Sequence, residues 1–415
     1  MSNKAKRIGI IGGGQLGKMM ILEAKRLGFY IVTFDPSAAC PSHSISDELI
    51  VAPFDDESAY RLLASKTDLI TYEYEHIHAH ALLTLEQNGY QIYPSAASLI
   101  TIQNKHTQKL TLCKNGIPVP RFAAVHNISD IRALGGCDGA FESTRSSPDD
   151  INTELSNSLS QIGEKPVFGY PLMLKTTLGG YDGKGNALIA SESEIADAFA
   201  SLGGGMAALM AEEFVAYDKE ISIIATRGID GSRVVYPPAE NSHKNSILDT
   251  TIVPARIPHQ SMKKAEEIAH NVMEVFEGVG TFCVEMFLTE TGDVLVNEVA
   301  PRPHNSGHYT IEGCLVNQFE NHIRAITGLP LGNVSLIHPT VMINILGESE
   351  GPARLAGLAE AYSDPNIHIH LYGKSESKPD RKMGHLTAVG NDAEDALRRA
   401  KRAKNAVRVS GSPKE

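Results

Sequence analysis

The chain has 415 residues, 42% hydrophobic and 21% charged, which allows two or three domains and a large core. Its formal charge of −11 excludes general nucleic-acid binding, which needs a basic surface, and no apolar run approaches the roughly 20 residues of a membrane-spanning helix. The N-terminus leads into a strand without a signal-peptide core. The five cysteines (Cys40, Cys113, Cys137, Cys283, Cys314) lack Cys-x-x-Cys spacing, so a cytoplasmic protein with reduced thiols is expected.

Residues 7–100 alternate short apolar strands with helical patterns. Arg7-Ile-Gly-Ile-Ile reads as a strand, Leu16, Met19, Met20, Glu23, Ala24 and Leu27 keep helical spacing, and Tyr30–Asp35 is the next strand. Glu48-Leu-Ile-Val and Asp68-Leu-Ile-Thr-Tyr follow, and the repetition predicts a parallel sheet covered by helices. Gly12-x-Gly14-x-x-Gly17 opens the first helix and Asp35 ends the next strand, which matches a dinucleotide fingerprint. The same amides would serve any anionic ligand, and nothing downstream resembles a hydride-transfer site, so a non-dinucleotide substrate is expected there.

Pro94-Ser95 and Gln103-Asn104-Lys105-His106 mark a first boundary, after which a helix runs to about Lys114. Residues 126–168 are polar, rich in Ser and Asp, and read as an insertion with few core positions. From 170 to 300 strands dominate, interrupted by a helix over 261–277. The stretch Leu178-Gly-Gly-Tyr-Asp-Gly-Lys-Gly-Asn186 joins two of these strands. A P-loop would need Gly-Lys-Ser/Thr and then a helix, whereas Gly183-Lys184-Gly185 leads into another apolar run. It is therefore a hairpin tip whose bare backbone amides, with Lys175 and Lys184, suit a cationic flap over a polyphosphate.

Glu285 and Glu298 lie in two apolar strands joined by the turn Thr289-Glu-Thr-Gly-Asp, and counting outward from that turn brings them near one another. Two such carboxylates are costly to bury unless a cation neutralises them, and oxygen ligands on rigid strands suit Mg²⁺ held against ATP phosphates. The following loop, Pro301-Arg302-Pro303-His304-Asn305-Ser306-Gly307-His308, gathers groups that hold a small oxyanion. Glu212-Glu213-Phe214-Val215, with Glu220, offers backbone groups and a carboxylate to an adenine and a ribose. Lys374, Lys378, Arg381 and Lys382 form a cationic cluster, while Arg398 to Lys404 reads as a solvated helix with i,i+4 pairs. His76, His78 and His80 read as structural or solvated rather than as a metal strip, because i and i+2 face apart on a helix.

As a set and in this order, Lys105, Lys175, the Gly180–Asn186 loop, Glu212–Val215, Glu220, Glu285 and Asn297-Glu298 resemble the ATP-grasp superfamily. Gly12-Gly-Gly-Gln-Leu-Gly17, Glu73-x-Glu75-His76, Gly179-Gly-Tyr-Asp-Gly-Lys-Gly185, His304-Asn-Ser-Gly-His308 and Arg381-Lys-Met-Gly-His385 resemble the 5-(carboxyamino)imidazole ribonucleotide synthases of purine biosynthesis. This resemblance covers about residues 7–390. It implies an α/β fold of ATP-grasp architecture: an N-terminal Rossmann-like pre-ATP-grasp domain over 1–103, an ATP-grasp domain over 104–330 with an insertion near 138–168, and a small β-rich C-terminal domain over 331–415.

By the same resemblance, ATP contacts fall on Lys105, Lys175, Gly180, Tyr181, Asp182, Gly183, Lys184, Gly185, Asn186, Glu212, Glu213, Phe214, Val215, Glu220, His243, Asn297 and Glu298. Mg²⁺ would sit on Glu285 and Glu298. Aminoimidazole ribonucleotide (AIR) would meet Gln15, Leu16, Glu73, Lys374, Arg381 and Lys382, with Asp182 orienting its amine, and bicarbonate would lie near Arg302, His304 and Asn305. The implied activity is an ATP-grasp ligase forming a C–N bond through carboxyphosphate, in a homodimer that binds small molecules and neither nucleic acid nor membrane. Lys18 and Lys184 stand where arginine is frequent in that family, and Asp380 where glycine is usual. A ligase using another acyl phosphate and an NAD-dependent dehydrogenase are the rival readings. The Arg302–His308 and Arg381–His385 loops favour AIR over the first, and the second leaves Glu285, Glu298 and the flap without a role.

Overall fold

The structure, a computed structural model, describes residues 6–136, 167–180 and 183–412. Near-continuous apolar runs form a parallel sheet in the order Glu48–Val51, Tyr30–Asp35, Arg7–Ile11, Leu69–Tyr72. Both faces are covered, which is why the strands carry so few polar residues. Ile8 and Ile10 pack with Leu16, Met19 and Met20 of the helix Gln15–Arg26 and with Phe319 and Ile323 of the helix Gln318–Thr327. On the other face Ile11, Val32 and Tyr72 meet Tyr60, Leu63, Leu82 and Leu99.

A second, nine-stranded sheet runs in the order Val294–Ala300, Gly280–Thr289, Tyr217–Arg227, Ala239–Lys244, Ile247–Val253, Thr340–Leu346, Lys382–Val389, Ile367–Leu371, with Arg233–Val235 paired to Tyr217–Arg227. Contacts divide the chain into two compact units. One is Met1–Gln103, Thr111–Pro118 and Tyr217–Glu415; the other is Asn104–Leu110 and Val119–Ala216. Within the larger unit Thr340–Leu346 adds directly to Ile247–Val253 in one ladder, which joins the expected C-terminal segment to the central sheet.

The smaller unit is built on an antiparallel sheet in the order Phe122–Val125, Leu209–Glu213, Leu172–Thr176, Asn186–Ile189. Its core includes Val125, Ile131, Leu134, Leu174, Ile189 and Ile195. The stretch after 126 therefore holds more structure than its polarity suggests. Asn127 and Asp130 form a capping box that starts the helix Ile128–Leu134, whose Ile131 and Leu134 are buried. Most of the expected insertion falls on residues 137–166, which lie outside the described residues.

The C-terminal helix Ala393–Ala406 also departs from expectation. It is not solvated all round, because Ala396, Ala400 and Ala403 are buried against Val341, Ile343 and Leu386. Its cations serve the polar face, where Arg399 reaches Asp395 at 3.1 Å and Asp364 at 2.9 Å. Among the described residues no helix is long and apolar enough to cross a membrane.

Candidate active site

The glycine-rich turn at the head of Gln15–Arg26 has no side-chain cap of its own, since its N-cap is Gly14. Its amides are satisfied from elsewhere in the chain. Gly14 and Gly17 each donate to Glu73 at 2.6 Å, and Gly13 donates to Asp35 at 2.8 Å. The glycines are required for this approach: a Cβ at Gly12 or Gly14 would collide with the Glu73 side chain. Burial pushes the Glu73 carboxyl above its usual range, against the opposing pull of the two amides. Carboxylates of the protein thus occupy the Gly13, Gly14 and Gly17 amides of this turn. The dehydrogenase reading loses its pyrophosphate site by the same observation. Leu16 is 7% exposed and sits in the core, so only its backbone is available to a ligand there.

The paired carboxylates behave as their spacing predicts. Glu285 lies directly opposite Glu298 in the Gly280–Thr289/Val294–Ala300 ladder. The register then shifts, so Met286 pairs with Val296 and Asn297 is the extra residue of a bulge. On the neighbouring strand Glu220 pairs with His243, and although burial disfavours the charged ring, the hydrogen bond to Glu220 raises the His243 pKa.

Beyond Ala300 the chain enters the Arg302–His308 loop. Arg302 is held bidentately by Glu75, through Nε to Oε2 and through a terminal nitrogen to Oε1 at 2.7 Å, while its other terminal nitrogen donates to the Pro303 carbonyl at 3.2 Å. Burial alone would raise the Glu75 pKa, yet the guanidinium holds it down at about 2, and the pair raises the Arg302 pKa in turn. Beside it, burial and the Arg302 and Lys382 cations keep the His304 imidazole neutral, its pKa well below the usual value. His304 Nδ1 accepts from the Ser306 amide at 3.3 Å, and Nε2 lies 3.9 Å from Glu285 Oε1. The Asn305 side chain exchanges two hydrogen bonds with Asn344, at 3.0 and 2.8 Å.

His308 and His385, each ending one of the two C-terminal motifs, are stacked with ring centroids 4.4 Å apart, and Tyr372 meets His385 Nδ1 at 3.0 Å. These buried rings tie the Arg302 loop to the strand that carries Lys382. Lys374 donates to the Lys382 carbonyl at 2.7 Å and Arg381 to the Glu376 carbonyl at 2.6 Å. Asp380, at φ +64°, adopts the left-handed conformation that a glycine would take there, which aspartate tolerates better than most side chains.

In the smaller unit Glu212 is 3% exposed and lies between Lys109 at 3.1 Å and Lys175 at 2.6 Å. Burial opposes its ionisation, but the two ammonium groups hold its pKa at about 2. Its carboxylate pairs with the two lysines. Glu213 is likewise taken, by a bidentate pair with Arg121 at 2.8 Å. Gly180 lies beside Lys105, since a Cβ there would be 3.7 Å from Lys105 Cε, and Gly183 and Gly185 have φ of +76° and +81°. Lys184 and Asn186 are exposed, Phe214 is 41% exposed, and Tyr181 and Asp182 lie outside the described residues. Sequence reasoning assigned no role to Lys109, Arg121 or Asn344, and named Glu75 and Ser306 only as parts of motifs. An ionisable residue at a buried helical position was the one available signal for Lys109.

Three stretches match known families: residues 5–103 the ribonucleotide synthetase preATP-grasp domain, residues 149–319 the ATP-grasp domain, and residues 340–399 the phosphoribosylaminoimidazole carboxylase C-terminal domain. The chain is 40% identical over 387 residues to an N5-carboxyaminoimidazole ribonucleotide synthase of Staphylococcus aureus, covering 93% of each. The crystal structure of an N5-carboxyaminoimidazole ribonucleotide synthetase from Thermotoga maritima is similar at a TM-score of 0.81 and 42% identity, over 98% of this chain and 100% of that one. A synthase from Aspergillus clavatus, solved with ADP and 5-aminoimidazole ribonucleotide, is similar at a TM-score of 0.81 and 32% identity, over 97% and 98%.

Proposed function

The chain belongs to the N5-carboxyaminoimidazole ribonucleotide synthase family, and on that premise we propose how its own residues carry the reaction. It is an ATP-grasp ligase of purine biosynthesis that uses ATP to carboxylate AIR. Bicarbonate oxygen attacks the γ-phosphorus of ATP, releasing ADP and forming carboxyphosphate. The exocyclic amine of AIR then takes the carboxyl carbon, directly or as CO₂ released in place, phosphate departs, and the amine loses its proton as the carbamate forms.

Arg302 carries this reading. Glu75 fixes the plane of its guanidinium, so the remaining N–H groups present a preset fork to a small oxyanion. Neutral His304 adds a donor at Nε2 while Nδ1 accepts from Ser306. Asn305 supports the loop through Asn344 rather than touching the substrate.

Glu285 and Glu298, opposite in register with Asn297 bulged beside them, form an all-oxygen set on rigid strands that fits Mg²⁺. When bound, Mg²⁺ supplies charge neutralisation at the ATP phosphates. We assign ATP to Lys105, Lys175, the Gly180–Asn186 loop, the backbone of Glu213, Phe214 and Val215, and to Glu220, His243, Asn297 and Glu298. Glu212 orients Lys175 for that task. The Tyr181–Gly185 flap excludes water, which would hydrolyse carboxyphosphate. We assign AIR to Gln15, Lys374, Arg381 and Lys382, with Asp182 orienting the amine and Glu73 shaping the turn that carries Gln15. Cytoplasmic location and a homodimer belong to the same reading.

ADP release from Mg-ATP and bicarbonate, measured with and without AIR, tests the proposal. AIR-dependent ADP accompanied by an acid-labile carbamate is expected; a well-folded sample that releases no ADP refutes it.

A further inference from the structure

We propose that the Arg302 loop contains a second, thiophilic cation site, formed by Cys283, Glu285 and His304, through which Zn²⁺ inhibits the enzyme. Cys283 and Glu285 are two apart on the strand Gly280–Thr289, and His304 comes to them from the loop beyond the next strand. The three ligand atoms, Cys283 Sγ, a Glu285 carboxylate oxygen and a ring nitrogen of His304, all lie within 4.8 Å of one another, and Glu285 Oε1 is 3.9 Å from His304 Nε2. Among the described residues no other group of three such side chains converges in this way.

The chemistry of the set selects the ion. Zinc takes thiolate, imidazole and carboxylate at about 2.0–2.3 Å, which places tetrahedral ligand atoms roughly 3.5 Å apart. The observed spread needs a closing movement of about 1 Å, within reach of side-chain rotation on a carboxylate and an imidazole. Mg²⁺ prefers an all-oxygen octahedron and is a poor partner for sulfur, so it stays with Glu285 and Glu298.

A supporting shell is in place as well. The Ser306 hydroxyl lies 2.9 Å from His304 Nδ1 and 3.5 Å from Cys283 Sγ. Zinc binding selects the other tautomer of the ring: Nδ1 gives up the Ser306 amide and donates its proton to the Ser306 hydroxyl, which leaves the Nε2 lone pair for the metal. On binding, the Cys283 thiol loses its proton to solvent as the zinc–sulfur bond forms, and a water completes the fourth position. Glu285 is common to both metal sets, so on the reading of Glu285 as a Mg²⁺ ligand the two ions exclude one another. Zinc at His304 also removes a donor from the anion that Arg302 faces.

Co²⁺ added to the nucleotide-free full-length protein tests the site without turnover, so its failure is distinguishable from failure of the carboxylation reading. A thiolate-to-cobalt charge-transfer band that Zn²⁺ abolishes is expected. Cys283→Ala should remove that band and weaken zinc inhibition by about tenfold or more, while Mg-ATP-dependent carboxylation in zinc-free buffer stays within about twofold of the parent. If the alanine variant does not fold, Cys283→Ser serves, because the hydroxyl fills the same space and ligates zinc poorly. Absence of the band in the parent overturns the proposal, as does its persistence or undiminished zinc inhibition in the folded variant.

Discussion

Replacing Glu75 by glutamine preserves the shape of the side chain and removes its charge, leaving Arg302 as a buried cation without its counterion. The two side chains are 15% and 13% exposed, so solvent compensates little. Removing one partner of such a pair costs about 3–5 kcal/mol, whereas an exposed pair would cost less than about 1 kcal/mol. For a chain of this size that is a fall of roughly 5 °C in melting temperature. The catalytic consequence is separate from the thermal one. Arg302 loses the two-point contact that sets its plane, and a charge-assisted hydrogen bond of about 1.5–3 kcal/mol to a misaligned bicarbonate corresponds to a rise of about tenfold or more in the KM for bicarbonate. The KM for ATP should stay within about twofold, since Arg302 is not assigned to the nucleotide. ADP formed per carbamate should rise above unity as badly held carboxyphosphate leaks to water, and Glu75→Asp should recover part of both losses. Calorimetry together with bicarbonate-dependent kinetics of Glu75→Gln decides the matter. A variant with the parent's melting temperature and bicarbonate KM refutes the positioning argument, and so does an equal rise in both KM values.

Glu298→Gln should abolish turnover by loosening Mg²⁺ while circular dichroism shows the fold intact; an active Glu298→Gln enzyme would sink the metal assignment. Lys374→Met or Arg381→Met should raise the KM for AIR more than it lowers kcat, because a phosphate clamp binds ground and transition states alike, and steady-state kinetics with AIR varied would reveal the opposite split. Stability should decline in two stages on acidification. Burial holds His304, His308 and His385 well below their usual pKa and His322 at about 3, so below about pH 6.5 only the unfolded chain takes up these protons, at a cost of about 1.4 kcal/mol per pH unit for each. Glu75 and Glu212, both held at about 2, contribute stability that is complete above the ordinary carboxylate range and is lost as pH falls toward that value. A urea midpoint that stays flat between about pH 7 and pH 5 would contradict the buried neutral imidazoles.

Local chemistry was legible in the chain wherever the distance along the sequence was short. The alternation of short apolar runs with helical patterns gave the parallel N-terminal strands, and counting outward from the Thr289–Asp293 turn brought Glu285 near Glu298, because strand periodicity and hairpin register are properties of adjacent backbone. The motifs around Gly12, Gly180, Arg302 and Arg381 pointed to the family for the same reason: each is a compact run of residue types. What each side chain does within those runs depended on partners that spacing cannot reveal. Glu75 and Arg302 are 227 residues apart, Glu73 closes on Gly14 across 59, and Asn305 meets Asn344 across 39. Glu212 and Glu213 are neighbours with the same side chain, yet one is buried between two lysines and the other lies at the surface against Arg121. A carboxylate has the same affinity for an amide, a guanidinium, an ammonium or a metal wherever it stands in the sequence; only the fold decides which of them comes within about 3 Å and whether water is excluded when it does.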